Sequence, residues 1–252
     1  AKELIYDIVF LRPLASDLIM LGGLMAGYTL MSGCMEKDYS DDLSASLDGT
    51  NAYYPTLGTV EDVDPITIAS DTYGTLIPTN PEVFEKSGAD SIGQRVFLNV
   101  VFQSDPHNPI STAQEVIVLN LYNIPTRAAT DLREAEDNDL NRFGNDPVQI
   151  TGSSISKEHL NIEFNFKGSG NNNIHDFTLI LPEGTELDNR GMLLVELRHD
   201  AKSDTPTGWY WGVTSFTLKS IPEYQQNNFQ GFLIKYNSGA DSQAVWEVKK
   251  SN

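Results

Sequence analysis

The chain has 252 residues, 17 basic and 35 acidic side chains, a formal net charge of −18 and one cysteine. Such an acidic protein repels phosphate backbones and anionic lipid headgroups, which argues against nucleic-acid binding and against electrostatic attachment to a membrane. One cysteine cannot form an intramolecular disulfide or a cysteine-based metal site. The fold must therefore be stabilised by its hydrophobic core, and the length suits one large or two modest domains.

An uncharged stretch, residues 18–35, contains the single cysteine. A hydrophobic run followed by small residues is typical of an export signal, and here Ser32 and Gly33 lead into Cys34. The segment resembles a bacterial lipobox, which predicts that Cys34 is lipidated and that acyl chains attach the protein to a membrane. Stable attachment needs more than one such chain. A plain N-terminal anchor and a buried apolar helix are the alternatives.

The residues on either side of this signal are acidic. Residues 1–17 are net negative, whereas a signal peptide begins with a positive region, which indicates an extension upstream of the signal start. We therefore expect residues 1–34 to be the signal segment and residues 35–50 to be a solvated tether. The acidic tether also resembles the surface-export signal of some Gram-negative lipoproteins. The expected location is the outer membrane of a Gram-negative cell envelope, facing either the periplasm or the surface.

The next part of the chain has short segments in which apolar and polar residues alternate, the pattern of an all-β fold. In the clearest segment, Val96, Leu98 and Val100 share one strand face. Five strands are predicted, at 57–63, 65–70, 74–78, 95–102 and 115–123, of which the last is apolar on both faces. Five strands in about 70 residues match a small barrel of the OB type, which we place at residues 51–126.

Residues 127–147 interrupt the strand pattern with acidic side chains and end in the turn residues Gly-Asn-Asp-Pro at 144–147. This composition predicts a linker, or a short polar helix that those residues close. The acidic run around Asp137 faintly suggests a calcium loop. Counted from Asp137, however, the sixth and twelfth positions hold Arg142 and Val148, where such a loop needs glycine and glutamate. A weak irregular calcium site is therefore only the alternative.

The last part of the chain shows the cleanest alternation, with Leu160, Ile162 and Phe164 on one face and polar residues on the other. Seven strands are predicted, at 148–153, 159–167, 173–181, 191–199, 209–219, 229–236 and 244–249. Seven short strands separated by turns predict a β-sandwich over residues 148–252. The expected fold class is all-β, with a small OB-type barrel followed by an antiparallel β-sandwich.

Four segments of the sequence are similar to those of a known protein family. Residues 93–96, 160–164, 194–201 and 213–218 read GQRV, LNIEF, LVELRHDA and VTSFTL. Their order and spacing behind a lipobox resemble the NigD-like lipoproteins, although that family more often has Asn at the position of Asp200. The resemblance implies an N-terminal OB-type domain and a C-terminal β-sandwich. Its name comes from a gene cluster linked to a bacteriocin, and it implies no catalytic residue.

Arg198-His199-Asp200 looks the most like a catalytic cluster, because a histidine beside a carboxylate can act as a base. Adjacent residues on a strand point to opposite faces, however, so we expect His199 to be a structural histidine bonded to a loop. The histidines at 107, 159, 175 and 199 lack the spacing of a zinc site. No catalytic residue, metal or other cofactor is therefore expected.

Trp209 and Trp211 are the candidate ligand-binding residues. On one strand they share a face, about 7 Å apart and opposite to Tyr210 and Phe216. If Phe216 faces the core, the two indoles could stack on sugar rings or contact a partner. Alternatively, they pack against the first domain, or a bulge at Gly212 turns one of them inward.

These patterns predict an exported, lipid-anchored envelope protein with a binding or accessory role rather than an enzyme. The resemblance implies an association with a bacteriocin-type system, and the expected partner is a protein or a glycan. A glycan-binding surface lipoprotein is the first alternative. A hydrolase is the second, and it would need two carboxylates about 5–10 Å apart in a cleft.

Overall fold

The computed structural model describes residues 53–106, 112–169, 175–239 and 242–250. Nearly all regular structure in these ranges is β-strand, which confirms the all-β prediction. The chain divides into two compact units, with the boundary between Asn123 and Ile124. Within the described ranges, no helix is long and apolar enough to span a membrane. The predicted signal segment with Cys34 and the predicted tether lie outside the described residues.

The first unit contains a closed five-stranded barrel with the strand order β1-β2-β3-β5-β4. Among the described residues of this unit, β3 and β5 pair in parallel and the other strand pairs are antiparallel. A short helix, which the sequence pattern did not predict, follows β3 in the chain, because six residues are too few to show a helical period. The elements are β1 (Tyr54–Val63), β2 (Ile66–Ser70), β3 (Gly74–Pro78), α1 (Glu82–Ser87), β4 (Arg95–Phe102) and β5 (Ala113–Asn123).

The barrel interior is apolar, and an ion pair lies at the start of β4. Val96, Leu98 and Val100 are fully buried, as their alternation predicted. Arg95 is also buried, and it donates two hydrogen bonds to the Asp71 carboxylate, at 2.9 and 2.7 Å. A buried guanidinium is tolerated only when it is paired in this way. The pair ties β4 to the turn between β2 and β3.

The second unit is a sandwich of two sheets, with strand orders β14-β13-β11-β10-β7 and β6-β12-β9-β8. Most pairs are antiparallel, but β11 with β13, β10 with β7 and β12 with β6 are parallel. The strands are β6 (Thr126–Ala128), β7 (Thr130–Asp131), β8 (Val148–Ile155), β9 (His159–Gly168), β10 (Asp176–Leu181), β11 (Met192–Asp200), β12 (Gly208–Thr217), β13 (Gly231–Gly239) and β14 (Ser242–Lys249).

The sandwich core lies between the inner faces of these sheets. Phe164 and Leu197 are each 1% exposed, as the alternation predicted, and the ring of Phe164 stacks on Phe177 at 4.0 Å. Gly212 lies opposite Phe164, where an added Cβ would come within 3.0 Å of that ring. The pairing of β12 with β9 runs unbroken from Gly208 to Thr217, so the proposed bulge at Gly212 is wrong.

Residues 127–147 differ from the predicted linker because they form part of the sandwich. β6 pairs with one sheet and β7 with the other. A 3-10 helix follows at Leu140–Phe143 and ends at Gly144, the first of the predicted turn residues. Arg198 on β11 donates to the carbonyl oxygen of Leu140 at 3.0 Å and so ties this helix to the sheet. The pattern missed β6 and β7 because strands of two or three residues are too short to show alternation. The alternative of a short polar helix closed by Gly-Asn-Asp-Pro agrees with the 3-10 helix.

Candidate functional site

Trp209 and Trp211 lie side by side on the outer face of the four-stranded sheet. In the pairing with β9, Trp209 is opposite Lys167 and Trp211 is opposite Asn165. Tyr210, between the indoles, points into the core and is 8% exposed. Both tryptophans are partly exposed. We call the surface formed by Glu163, Asn165, Lys167, Trp209 and Trp211 the tryptophan face.

Neighbouring side chains on β9 hold both indoles in place. The ammonium nitrogen of Lys167 lies 5.3 Å from the ring centroid of Trp209, which is a cation–π contact. The side chain of Trp211 is hydrogen-bonded to Glu163. Because an indole nitrogen can only donate, the Glu163 carboxyl is the acceptor. The face therefore presents two aromatic rings that are already oriented before any ligand arrives.

Glu163 and Asn165 give this face an unusual polar character. Burial raises the pKa of Glu163 to about 7, although the hydrogen bond from Trp211 acts in the opposite direction. The Oδ1 atom of Asn165 is buried and has no hydrogen-bond partner among the described residues. A buried acceptor without a donor costs free energy that a ligand donor would recover. The face can thus change charge near neutral pH, and it offers an unused acceptor.

His199 lies in the sandwich interior, where it is bonded to a second histidine that the sequence analysis did not connect with it. Its Nε2 is 2.7 Å from Nδ1 of His175, and its Nδ1 is 3.3 Å from the carbonyl oxygen of Pro147. On the other side of the pair, Nε2 of His175 is 3.1 Å from Oδ2 of Asp204. Both histidines are at most 2% exposed.

This chain of hydrogen bonds determines where the protons are. The Pro147 carbonyl can only accept, so neutral His199 carries its hydrogen on Nδ1, and its Nε2 accepts a hydrogen bond from Nδ1 of His175. Burial and the charge of His175 lower the pKa of His199 to about 4. Since both ring nitrogens of His199 are engaged within the core, this histidine is not placed to act as a base on a substrate.

The side chains of Arg198-His199-Asp200 do not form one cluster, because adjacent residues on a strand point to opposite faces. Arg198 lies on the outer face of its sheet and donates to Glu196 at 2.8 Å. Asp200 forms an ion pair with Lys202 at 2.8 Å. The three side chains therefore have separate partners.

A cleft of about 1080 Å³ forms a second candidate site on the sandwich unit. Its centre is Arg133, which donates to both carboxylate oxygens of Asp131, at 2.9 and 2.6 Å, and also to Glu223. We call it the acidic cleft, and its lining residues are Asp131, Arg133, Glu134, Ala135, Gly184, Thr185, Glu186, Leu187, Glu223, Gln226 and Asn228. These segments are far apart in the sequence, so no local pattern indicated the cleft.

The described residues contain no group of three or more His, Cys, Asp or Glu side chains that could hold a metal ion. The acidic run that suggested a calcium loop has other partners. Asp137 forms an ion pair with Arg142 at 2.7 Å, and Asp139 accepts from the backbone N–H of Asn141 and so caps the 3-10 helix. Of the four histidines, His107 lies outside the described residues.

Residues 130–249 match the model of the NigD-like C-terminal beta sandwich domain. The match begins at β7, which agrees with a sandwich that includes most of the predicted linker. The sandwich unit is a NigD-like C-terminal beta sandwich domain. No curated protein matches this NigD-like chain.

Several crystal structures from Bacteroides and Parabacteroides share the NigD-like fold. A NigD-like immunity protein from Bacteroides caccae has a TM-score of 0.51 and 19% identity, over 80% of this chain and 95% of its own. A protein provisionally named toxin-related, from Parabacteroides distasonis, has a TM-score of 0.59 and 22% identity, over 79% and 93%. A protein provisionally named a lipoprotein, from Bacteroides fragilis, has a TM-score of 0.55 and 11% identity, over 79% and 99%.

Proposed function

We propose that this NigD-like chain is a lipid-anchored protein of the cell envelope that binds a protein partner through its tryptophan face. In this proposal it has an accessory role in a bacteriocin-type system and catalyses no reaction. The observation that carries the proposal is the pair of partly exposed, pre-oriented indoles of Trp209 and Trp211 on one sheet face. Cys34 is the proposed attachment point for the lipid.

A protein partner suits this surface for physical reasons. Tryptophan is enriched among the residues that dominate binding energy at protein interfaces, since a large rigid ring buries much area at little entropic cost. Lys167 and Glu163 would add polar contacts beside the rings. The names of two similar structures, an immunity protein and a toxin-related protein, support a role in a toxin system.

Two groups that could have been catalytic, Asp131 in the acidic cleft and His199, are not arranged for catalysis. In the acidic cleft, hydrogen bonding to Arg133 lowers the pKa of Asp131, whereas a general acid needs a raised pKa. The imidazole of His199 is enclosed in the core, with both nitrogens engaged. These features support a binding protein.

A glycan partner is the second candidate. The unpartnered Oδ1 of Asn165 lies on the same face as two indoles that could stack on sugar rings. A carboxyl with a pKa near 7, such as that of Glu163, can both donate to and accept from hydroxyl groups while it is protonated.

Photo-crosslinking in the intact envelope distinguishes these partners. A photoreactive amino acid would replace Trp211, and in a matched control it would replace Val245, an exposed residue of the other sheet that is 59% exposed. We expect a discrete protein adduct from position 211 and none from position 245. An adduct that glycosidases remove would support the glycan. Identical adduct patterns from both positions would refute a dedicated face.

A further inference from the structure

The acidic cleft has an excess of negative charge that its own arginine does not balance. Four carboxylates line it, those of Asp131, Glu134, Glu186 and Glu223, against the single cation Arg133. The net charge of the lining residues is therefore negative whichever carboxylate Arg133 pairs with. A concave surface of one sign concentrates oppositely charged groups of a partner.

Arg133 is already shared between two of these carboxylates. Its Nε and Nη2 donate to Asp131, and its Nη1 donates to Oε1 of Glu223. One guanidinium can neutralise only one of the two anions, so this triad retains a negative charge. The hydrogen bonds also fix the position of Glu223 in the wall of the cleft.

Glu223 provides a second observation that points to a ligand. Its side chain is nine-tenths buried, with 10% exposed, and its Oε2 has no hydrogen-bond partner among the described residues. Leaving an oxygen of a buried carboxylate without a donor is costly, and more so for a charged group than for a neutral one. A cationic donor that enters the cleft beside Arg133 would satisfy this oxygen and offset the remaining charge.

We propose that the acidic cleft binds a lysine or arginine side chain of a basic protein segment, with Glu223 as its principal acceptor. The residues of this site come from β7 and the segment after it, from residues 184–187, and from residues 223–228. None of them belongs to the tryptophan face. The inference therefore goes beyond the function proposed above and does not depend on it.

The test is binding of a fluorescent hexa-arginine peptide to the full chain, measured by anisotropy at a fixed salt concentration of about 0.15 M, where long-range attraction is screened. Glu223→Gln removes the acceptor charge with little change of shape. The control is Glu158→Gln, which removes an equal charge at an exposed position outside the cleft. We expect Glu223→Gln to weaken binding at least tenfold and Glu158→Gln to weaken it less than twofold.

A further variant covers the case in which Glu223→Gln fails to fold. Glu134 and Glu186 are exposed, so the double change Glu134→Gln with Glu186→Gln should fold normally and weaken binding several-fold. Saturable binding should be unchanged in the double variant Trp209→Ala with Trp211→Ala, which separates this site from the tryptophan face. Equal losses from cleft and control variants, or no saturable binding to the unmodified chain, would overturn the proposal.

Discussion

His175 and His199 share a buried hydrogen bond of 2.7 Å although they are 24 residues apart in the chain. The ring of Phe177 is stacked on His199 with an interplanar angle of 1°, so an aromatic wall closes the pair on one side. Through Asp204 and Pro147, the two imidazoles join the strand ends to neighbouring loops. A polar network of this kind stabilises the fold only while every proton is in place.

Acidification should weaken the fold through His199. Its pKa is lowered to about 4 in the folded chain, against about 6.5 in the unfolded chain. The stability that neutral His199 contributes to the fold is therefore complete above about pH 6.5. The contribution is lost as pH falls from about 6.5 through about 4. We expect the free energy of unfolding of the unmodified chain, relative to that of His199→Gln, to fall by on the order of 3 kcal/mol over this window. Urea titrations at pH 4, 5, 6.5 and 7.5 measure it, and a pH-independent difference would contradict the proton assignment.

Glu163 should make the fold less stable as pH rises, which is the opposite of the effect expected from His199. Because burial raises its pKa to about 7, the contribution of the neutral acid is complete below about pH 4.5 and is lost as pH rises through 7. Glu163→Gln should therefore be more stable than the unmodified chain at pH 8, by roughly 1–3 kcal/mol, and similar to it at pH 5. Thermal unfolding at both pH values tests this, with Glu158→Gln as the control. An equal effect of Glu163→Gln at pH 5 and pH 8 would count against the buried acid.

The core assignment predicts large effects from truncation. Leu197→Ala and Phe164→Ala each remove a side chain that is 1% exposed, so each should lower the free energy of unfolding by about 2–5 kcal/mol. Val245→Ala, at an exposed position, should change it by less than about 0.5 kcal/mol. Denaturant titration of the three variants provides the comparison. A loss below about 0.5 kcal/mol in either core variant would mean that its side chain does not pack between the sheets.

The proposed lipid anchor would depend on one atom, the thiol sulfur of Cys34. Cells given a labelled fatty acid should incorporate the label into the unmodified chain and not into Cys34→Ala, because the chain has no other cysteine. Ser32→Ala is the matched control and should remain labelled. If Cys34→Ala is labelled as strongly as the unmodified chain, the protein is not a lipoprotein of this kind.

Local alternation was sufficient to locate the long strands. The structure places β3 at Gly74–Pro78 and β4 at Arg95–Phe102, with the bounds that the pattern predicted. The elements that were missed include α1, β6, β7 and two 3-10 helices at Leu218–Ser220 and Pro222–Gln225, each at most six residues long. Such short segments contain too few residues to show a periodic pattern. They form because neighbouring strands hydrogen-bond to their backbone or pack against their apolar side chains.

The two candidate sites differ in how far the sequence could indicate them. Trp209 and Trp211 are two residues apart, so strand parity alone predicts that they share a face. The acidic cleft joins Arg133 to Glu223, which are 90 residues apart. No local rule connects them, because their contact depends on the segments after β7 and β12 meeting in the folded sandwich.

The sequence by itself determined the all-β class, the strand parities, the acidic charge and the family resemblance, because each depends on composition or on residues close together in the chain. Only the tertiary structure decided that His199 is bonded to His175, that Glu163 is half-buried beside Trp211, and that Arg133 is shared by two carboxylates. Those outcomes depend on which strands pair and how much solvent each side chain keeps. Proton positions and pKa values follow from that burial, so they could not be derived from the order of the residues alone.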